Sequence, residues 1–174
     1  MIKSRMFKYI TVIIILFTSK LKILGQKNIY ISQGNYKELE FNRYLSTLGI
    51  GILFNGIKPV LIGGEICSFK FWDNNYSSIG IGLCPIVQIQ LMKLNKNKLF
   101  FESKGGIMYM FPEYPNTAIN YNLSLSPVYE IQLLEKHKLR FGVAFRHSSN
   151  GKRKEQFTNQ MWDGIGFSSG WIFN

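Results

Sequence analysis

Strand-like runs separated by turn residues fill the sequence from Tyr44 to its end, and they constrain the fold more than any other feature. No run has the spacing of apolar residues expected of an amphipathic helix with caps. Many strands at regular spacing with tight turns are typical of an all-β sandwich or barrel. The runs are Ser46–Phe54, Pro59–Phe71, Ser77–Leu94, Leu99–Phe111, Thr117–Leu134, Leu139–Arg146 and Met161–Phe173, with a weaker eighth candidate near residues 28–40.

One run ends in residues that can do chemistry. Leu139–Arg146 alternates large apolar residues with Arg, Gly and Ala, which is the period-2 pattern of a strand with one apolar face. His147 and Ser149 continue the apolar parity. In a soluble protein that face would be the core, whereas in a membrane barrel it would face lipid.

The first 25 residues resemble a targeting segment. A positive start is followed by the short apolar stretch Ile10–Phe17 and a plausible cleavage near Gly25-Gln26. This layout predicts a secretory signal peptide over residues 1–25, because the apolar stretch is far shorter than the roughly 18 residues of a spanning helix. The alternative is an N-terminal membrane anchor. A single β-barrel domain is expected over residues 26–174.

The net charge of the chain limits the classes of partner that we expect. Five of the eleven net positive charges belong to residues 1–25, so the remainder is only mildly basic. That balance suits a partner bearing phosphates. Nucleic acid is not expected, because the chain is predicted to be exported and has no basic run with interleaved aromatics.

Strand length and aromatic placement favour a membrane barrel over a soluble one. Several runs exceed 10 residues, near the roughly 9–11 that a tilted strand needs to cross a bilayer. The alternative is a soluble β-sandwich or a lipocalin-like barrel. We predict an eight-stranded antiparallel transmembrane β-barrel of the outer membrane. Aromatic residues near strand ends resemble an interfacial girdle: Phe69, Phe71 and Trp72; Phe100 and Phe101; Tyr109 and Phe111; Trp171 and Phe173.

The final run adds a carboxylate to the same face. Its odd positions are mostly bulky and apolar, its even positions are mostly small, and Asp163 lies on the odd parity. Ser149, His147 and Asp163 are therefore candidates for a nucleophile, a base and an orienting acid. Asn150, or backbone N–H groups beside it, could stabilise an oxyanion. The alternative is ordinary turn composition beside an interfacial histidine.

The remaining polar residues are assigned structural roles. Cys67 and Cys84 form either a bridge or two buried thiols, and we predict neither a metal site nor a cofactor, because neither cysteine has ligand spacing with a histidine. Pro85 predicts an edge, a bulge or a break. Charged residues inside the runs are expected to pair within the barrel: Glu65, Glu102 and Glu130 with lysines and with Arg140 and Arg146.

The C-terminal region resembles a known enzyme family. Phe145–Gly151, a polar loop, then Asn159 and Asp163-Gly164-Ile165 are similar to the signature of the outer-membrane lipid A 3-O-deacylases (PagL-type), which are related to exported acyloxyacyl hydrolases. The family's His-x-Ser-Asn motif matches His147, Ser149 and Asn150. Residues 105–109 and 116–122 also resemble its middle strands. The specific match covers about the last 35 residues.

The resemblance implies an eight-stranded barrel whose outward Ser and His cleave an ester-linked acyl chain at the 3 position of lipid A, without a catalytic metal. This sequence departs from the family at one position, because the family's acidic Glu would fall at Gly166. Asp163 is the best substitute, and Glu155 in the loop is the second choice. Basic residues Lys152, Arg153 and Lys154 could pair with lipid A phosphates, and the alternative is a solvated loop without a ligand. The alternative function is a non-catalytic small outer-membrane β-barrel with a structural or binding role.

Overall fold

The computed structural model describes residues 27–40, 42–55, 58–74, 77–111, 119–149 and 162–173. These ranges form a closed antiparallel barrel, in which each strand pairs with the next and β1 pairs with β8. The predicted eight-stranded fold is confirmed, and closure removes the unpaired edges of an open sheet. The strands are β1 (Lys27–Glu38), β2 (Tyr44–Asn55), β3 (Val60–Trp72), β4 (Ser77–Leu94), β5 (Asn97–Phe111), β6 (Ile119–Leu134), β7 (His137–Ser149) and β8 (Trp162–Phe173).

No helix in the described ranges has the length and apolar character needed to cross a membrane. The predicted signal peptide at residues 1–25 lies outside the described residues.

Pro85 does not break its strand. β4 is continuous through it, with Pro85 opposite Gly64 of β3. The β4–β5 register is the same on both sides of Pro85, since Leu83 stands opposite Ile107 and Ile86 opposite Lys104. The irregularity between these strands lies instead between Gln90 and Met92. Pro85 therefore lies within the sheet, in a strand that stays paired with β3.

The apolar parity of the strands faces outward. Phe141 is 47% exposed, Val143 43% and Phe145 40%. Leu83, Ile50 and Phe167 are exposed in the same way on other strands. A wall of large apolar side chains is what lipid requires of a spanning barrel, and it excludes the soluble alternative in which this face forms the core.

The opposite parity fills the interior with polar and aromatic side chains. Lys104 Nζ lies 2.9 Å from Glu65 Oε2, and Arg140 Nη1 lies 3.1 Å from Glu102 Oε2. Lys138 Nζ lies 3.4 Å from Glu130 Oε1. The predicted pairing of the three interior glutamates is confirmed, and it compensates charges that burial would otherwise destabilise.

Arg146 was expected to pair with an interior glutamate, but its contacts are with other residues. Its guanidinium donates a hydrogen bond to Asn122 Oδ1 at 3.0 Å and lies over the rings of Tyr36 and Phe69. The cation is therefore held by a neutral amide and two aromatic faces.

The aromatic girdle is smaller than predicted, because strand-end position does not determine the face. Phe69, Phe71 and Phe100 point into the interior and are at most 2% exposed. Outward aromatics remain at both ends of the barrel. Tyr44 stacks on Trp72 at one end, and Trp171 stacks on Phe173 at the other. These two groups are placed as an interfacial girdle requires.

Candidate active site

His147 and Asp163 stand directly opposite each other in the β7–β8 ladder. Both belong to the outward parity. His147 Nδ1 lies 2.7 Å from Asp163 Oδ1, and the side chains are 30% and 43% exposed. The predicted pairing of this histidine with Asp163 is thus present as a direct contact on the outer wall.

The contact determines which ring nitrogen is free. An ionised carboxylate can only accept hydrogen bonds, so Nδ1 must donate its hydrogen to Asp163. In the neutral ring Nε2 then carries the lone pair. This is the tautomer in which a histidine acts as a general base toward a hydroxyl.

Ser149 lies two residues beyond His147 on the same outward face and is partly buried. Residues two apart on a strand are separated by roughly 6.6 Å. An imidazole and a serine side chain that lean toward each other can span that separation. Ser148, between them in sequence, belongs to the other parity and is buried in the interior at 5% exposure.

Apolar side chains surround the polar pair. Leu123 of β6 stands opposite His147, and Tyr121 stands opposite Ser149. Phe145 and Ile165, one step along the outward face, stand opposite each other and are 40% and 49% exposed. The backbone N–H of Leu39 donates to the carbonyl of Asp163 at 2.9 Å, which continues the β1–β8 pairing up to the site.

A groove of about 510 Å³ lies on the same wall. Phe141, Val143 and Phe167 are among its lining residues. Val143 precedes His147 by four residues on the same face, a distance of roughly 13 Å along the strand. An extended apolar chain whose head reached His147 could lie along the wall toward this groove.

The structure explains why Gly166, and not an acid, occupies the position at which the sequence resemblance places a glutamate. It belongs to the inward parity, opposite Ala144, so a side chain there would not face His147. A Cβ on Gly166 would lie 2.0 Å from the Asn35 carbonyl oxygen and 2.6 Å from Tyr36 Cα. The seam between β8 and β1 therefore has no room for a glutamate.

Other predicted site residues lie outside the described ranges: Asn150, Glu155 and the basic group Lys152, Arg153 and Lys154. One basic residue escaped the sequence reasoning. Lys37 of β1 is exposed and stands opposite Ile165, two positions from Asp163 along β8. The sequence alone could not place Lys37 near Asp163, because only the pairing of β1 with β8 brings them together.

The fold belongs to the class of eight-stranded outer-membrane β-barrels. No family model and no curated protein sequence matches the chain. The chain is similar in structure to the outer-membrane enzyme PagL (TM-score 0.64, 10% identity, 82% of this chain and 97% of that one). It is also similar to Neisserial surface protein A, NspA (TM-score 0.61, 8% identity, 85% and 96%). A de novo designed transmembrane β-barrel gives a TM-score of 0.51 (12% identity, 85% and 95%). At these identities the likeness defines the fold alone.

Proposed function

We propose that this protein is an outer-membrane serine esterase that removes an ester-linked acyl chain from lipid A, as in 3-O-deacylation of lipopolysaccharide. The observation that carries the proposal is the 2.7 Å contact between His147 and Asp163 on the apolar outer wall. A histidine and a carboxylate set among lipid-facing side chains are costly in lipid, and polar groups placed there are usually functional.

In the proposed mechanism Ser149 Oγ attacks the ester carbonyl while His147 Nε2 accepts its proton. Asp163 stabilises the resulting imidazolium through Nδ1. The tetrahedral oxyanion accepts hydrogen bonds from Asn150 or adjacent backbone N–H groups. Collapse releases the sugar hydroxyl, which takes the proton from His147. Water, deprotonated by the same histidine, then hydrolyses the acyl-Ser149 ester to a free fatty acid.

The position of the pair suits a substrate in the outer leaflet. The segments that join strands at the His147 end comprise residues 39–43, 73–76, 112–118 and 150–161, whereas those at the other end comprise 56–59, 95–96 and 135–136. Outer-membrane barrels carry short turns on the periplasmic side and longer loops outside. By that rule Ser149 and His147 lie in the outer half of the membrane.

The surroundings match the two halves of lipid A. The groove lined by Phe141, Val143 and Phe167 offers apolar surface to an acyl chain. Lys37 beside the site offers a cation to a phosphate, and the sequence between β7 and β8 adds Lys152, Arg153 and Lys154. The likeness to the enzyme PagL adds support at the level of the fold.

The alternative is a barrel that binds or supports without catalysis. The likeness to Neisserial surface protein A, at a TM-score of 0.61, favours it to a similar degree at the level of the fold. This alternative gives no role to the His147–Asp163 contact, and the following experiment separates the two functions.

The test is mass spectrometry of lipid A from cells that express the wild-type chain, Ser149→Ala or Ser148→Ala. We expect the wild type and Ser148→Ala to yield lipid A that lacks one ester-linked acyl chain, because Ser148 faces the interior. Ser149→Ala should leave lipid A intact. Equal acylation in the presence of wild type and Ser149→Ala, with both proteins folded in the membrane, would reject the esterase.

A further inference from the structure

Two thiols and a carboxylate meet inside the barrel, away from the outer wall. Cys67 and Cys84 are free and buried, and their Sγ atoms are 3.8 Å apart. Cys67 Sγ lies 2.7 Å from Glu65 Oε1. One ligand atom from each of the three residues lies within 4.8 Å of the others. Three groups with an affinity for metals thus converge at one point.

The register explains the convergence. Glu65 stands directly opposite Cys84 across the β3–β4 ladder, and Cys67 follows Glu65 by two residues. All three therefore face the interior. Cys67 itself stands opposite Gly82, so the two cysteines are diagonal neighbours.

Diagonal placement disfavours a disulfide. Diagonal pairs on an antiparallel ladder have Cα atoms roughly 7–8 Å apart and Cβ atoms somewhat closer. A disulfide needs Cβ atoms about 3.5–4.5 Å apart. The sulfur separation of 3.8 Å instead matches two thiolates on one tetrahedral metal, because ligands about 2.3 Å from the ion are about 3.8 Å apart. Cys67 Sγ and Glu65 Oε1, now 2.7 Å apart, would separate to about 3.5 Å on binding the same ion.

The surrounding charges suit a bound dication. Two thiolates and a carboxylate would bring three negative charges into the interior. Lys104 Nζ lies 2.9 Å from Glu65 Oε2 and leaves Oε1 toward the thiols. Asn122 Oδ1 lies 3.8 Å from Cys84 Sγ and accepts a hydrogen bond from Arg146. A divalent ion, together with Lys104 and Arg146, nearly balances these three negative charges.

We infer that Glu65, Cys67 and Cys84 form a structural binding site for a thiophilic divalent cation, of which Zn²⁺ fits best, with Asn122 or water as the fourth ligand. Sulfur and carboxylate donors in a tetrahedral set are characteristic of zinc. The ion joins β3 to β4. Through Asn122 and Arg146 the site also reaches β7 at the residue before His147. The ion binds as the barrel closes, when the ligands come together. This site does not depend on the proposed esterase.

The test measures zinc in the full chain extracted from membranes in detergent without chelators. We expect close to one zinc ion per wild-type chain and at least a tenfold loss in Cys67→Ser and Cys84→Ser. Met108→Leu, a volume-conserving change in the same buried cluster, should retain the metal. The wild-type thiols should react with a thiol reagent only after a chelator is added.

A second measurement covers the case in which the serine variants do not fold. The wild-type chain refolded with Cd²⁺ should display the ultraviolet charge-transfer band of cadmium bound to thiolates. A folded wild type without metal, with two reactive thiols or with a disulfide, would overturn the site. So would refolding that produces no cadmium band. Either result leaves lipid A deacylation by Ser149 unaffected, so the two proposals can fail separately.

Discussion

The proposed catalytic pair is held by strand pairing and by one hydrogen bond. Because His147 and Asp163 are opposite residues of one ladder, their backbones are fixed whatever their side chains do. The carboxylate therefore contributes to orientation and charge at the ring, and little to folding. This separation makes Asp163 a clean position at which to test catalysis.

At the residue scale, Asp163→Asn should reduce acyl release by about 10²–10⁴-fold without loss of the barrel. An amide can donate to Nδ1, which favours the wrong histidine tautomer and removes the charge that stabilises the imidazolium. The measurement is the rate of fatty acid release by purified protein, with folding checked by heat-modifiable mobility.

Glu155→Gln is the comparison variant, because Glu155 is the other acid that the sequence offers. It should retain full activity. Full activity in Asp163→Asn together with a large loss in Glu155→Gln would transfer the acid's role to the loop.

At the element scale, the seam between β8 and β1 closes the barrel beside the site. Gly166 packs against the β1 backbone with no space for a Cβ. Gly166→Ala should therefore lower the free energy of unfolding by about 1–3 kcal/mol, as overpacking does. Urea unfolding in detergent micelles, followed by circular dichroism, provides the measurement.

Gly105→Ala is the matched control for that substitution. Its added Cβ would meet Asn122 O at 3.6 Å, which is an ordinary contact. The control should change the free energy of unfolding by less than about 0.5 kcal/mol. Equal losses in the two variants would mean that the seam is less tightly packed than its backbone contacts indicate.

Strand parity is also where sequence reasoning succeeded and where it stopped. The alternation in β7 and β8 was sufficient to assign His147, Ser149 and Asp163 to one face. It could not establish that His147 faces Asp163, because the length of the segment between the two strands, residues 150–161, does not fix the register, which barrel closure sets. The meeting of Glu65 with Cys84 depends on register in the same way. The error at Phe69 and Phe71 came from using position along a strand without parity.

At the scale of the whole molecule, the outer wall must tolerate lipid over its middle and water at its ends. Leu83 lies near the middle of β4 and is 65% exposed, whereas Leu94 ends the same strand beside a turn. In lipid vesicles Leu83→Arg should cost about 2–4 kcal/mol of stability and Leu94→Arg about 0–1. Denaturant titration of the folded fraction measures both. Equal costs at the two positions would be inconsistent with a membrane-spanning wall.

The esterase is tested most directly with purified protein and lipid A in detergent micelles made with ¹⁸O-enriched water, where no host enzyme contributes. We predict that the wild type releases a free fatty acid carrying ¹⁸O in its carboxylate, that lipid A loses the corresponding mass, and that Ser149→Ala releases none. A folded wild-type protein that leaves the mass of lipid A unchanged, or a Ser149→Ala variant that releases acid at the wild-type rate, would contradict the proposed function.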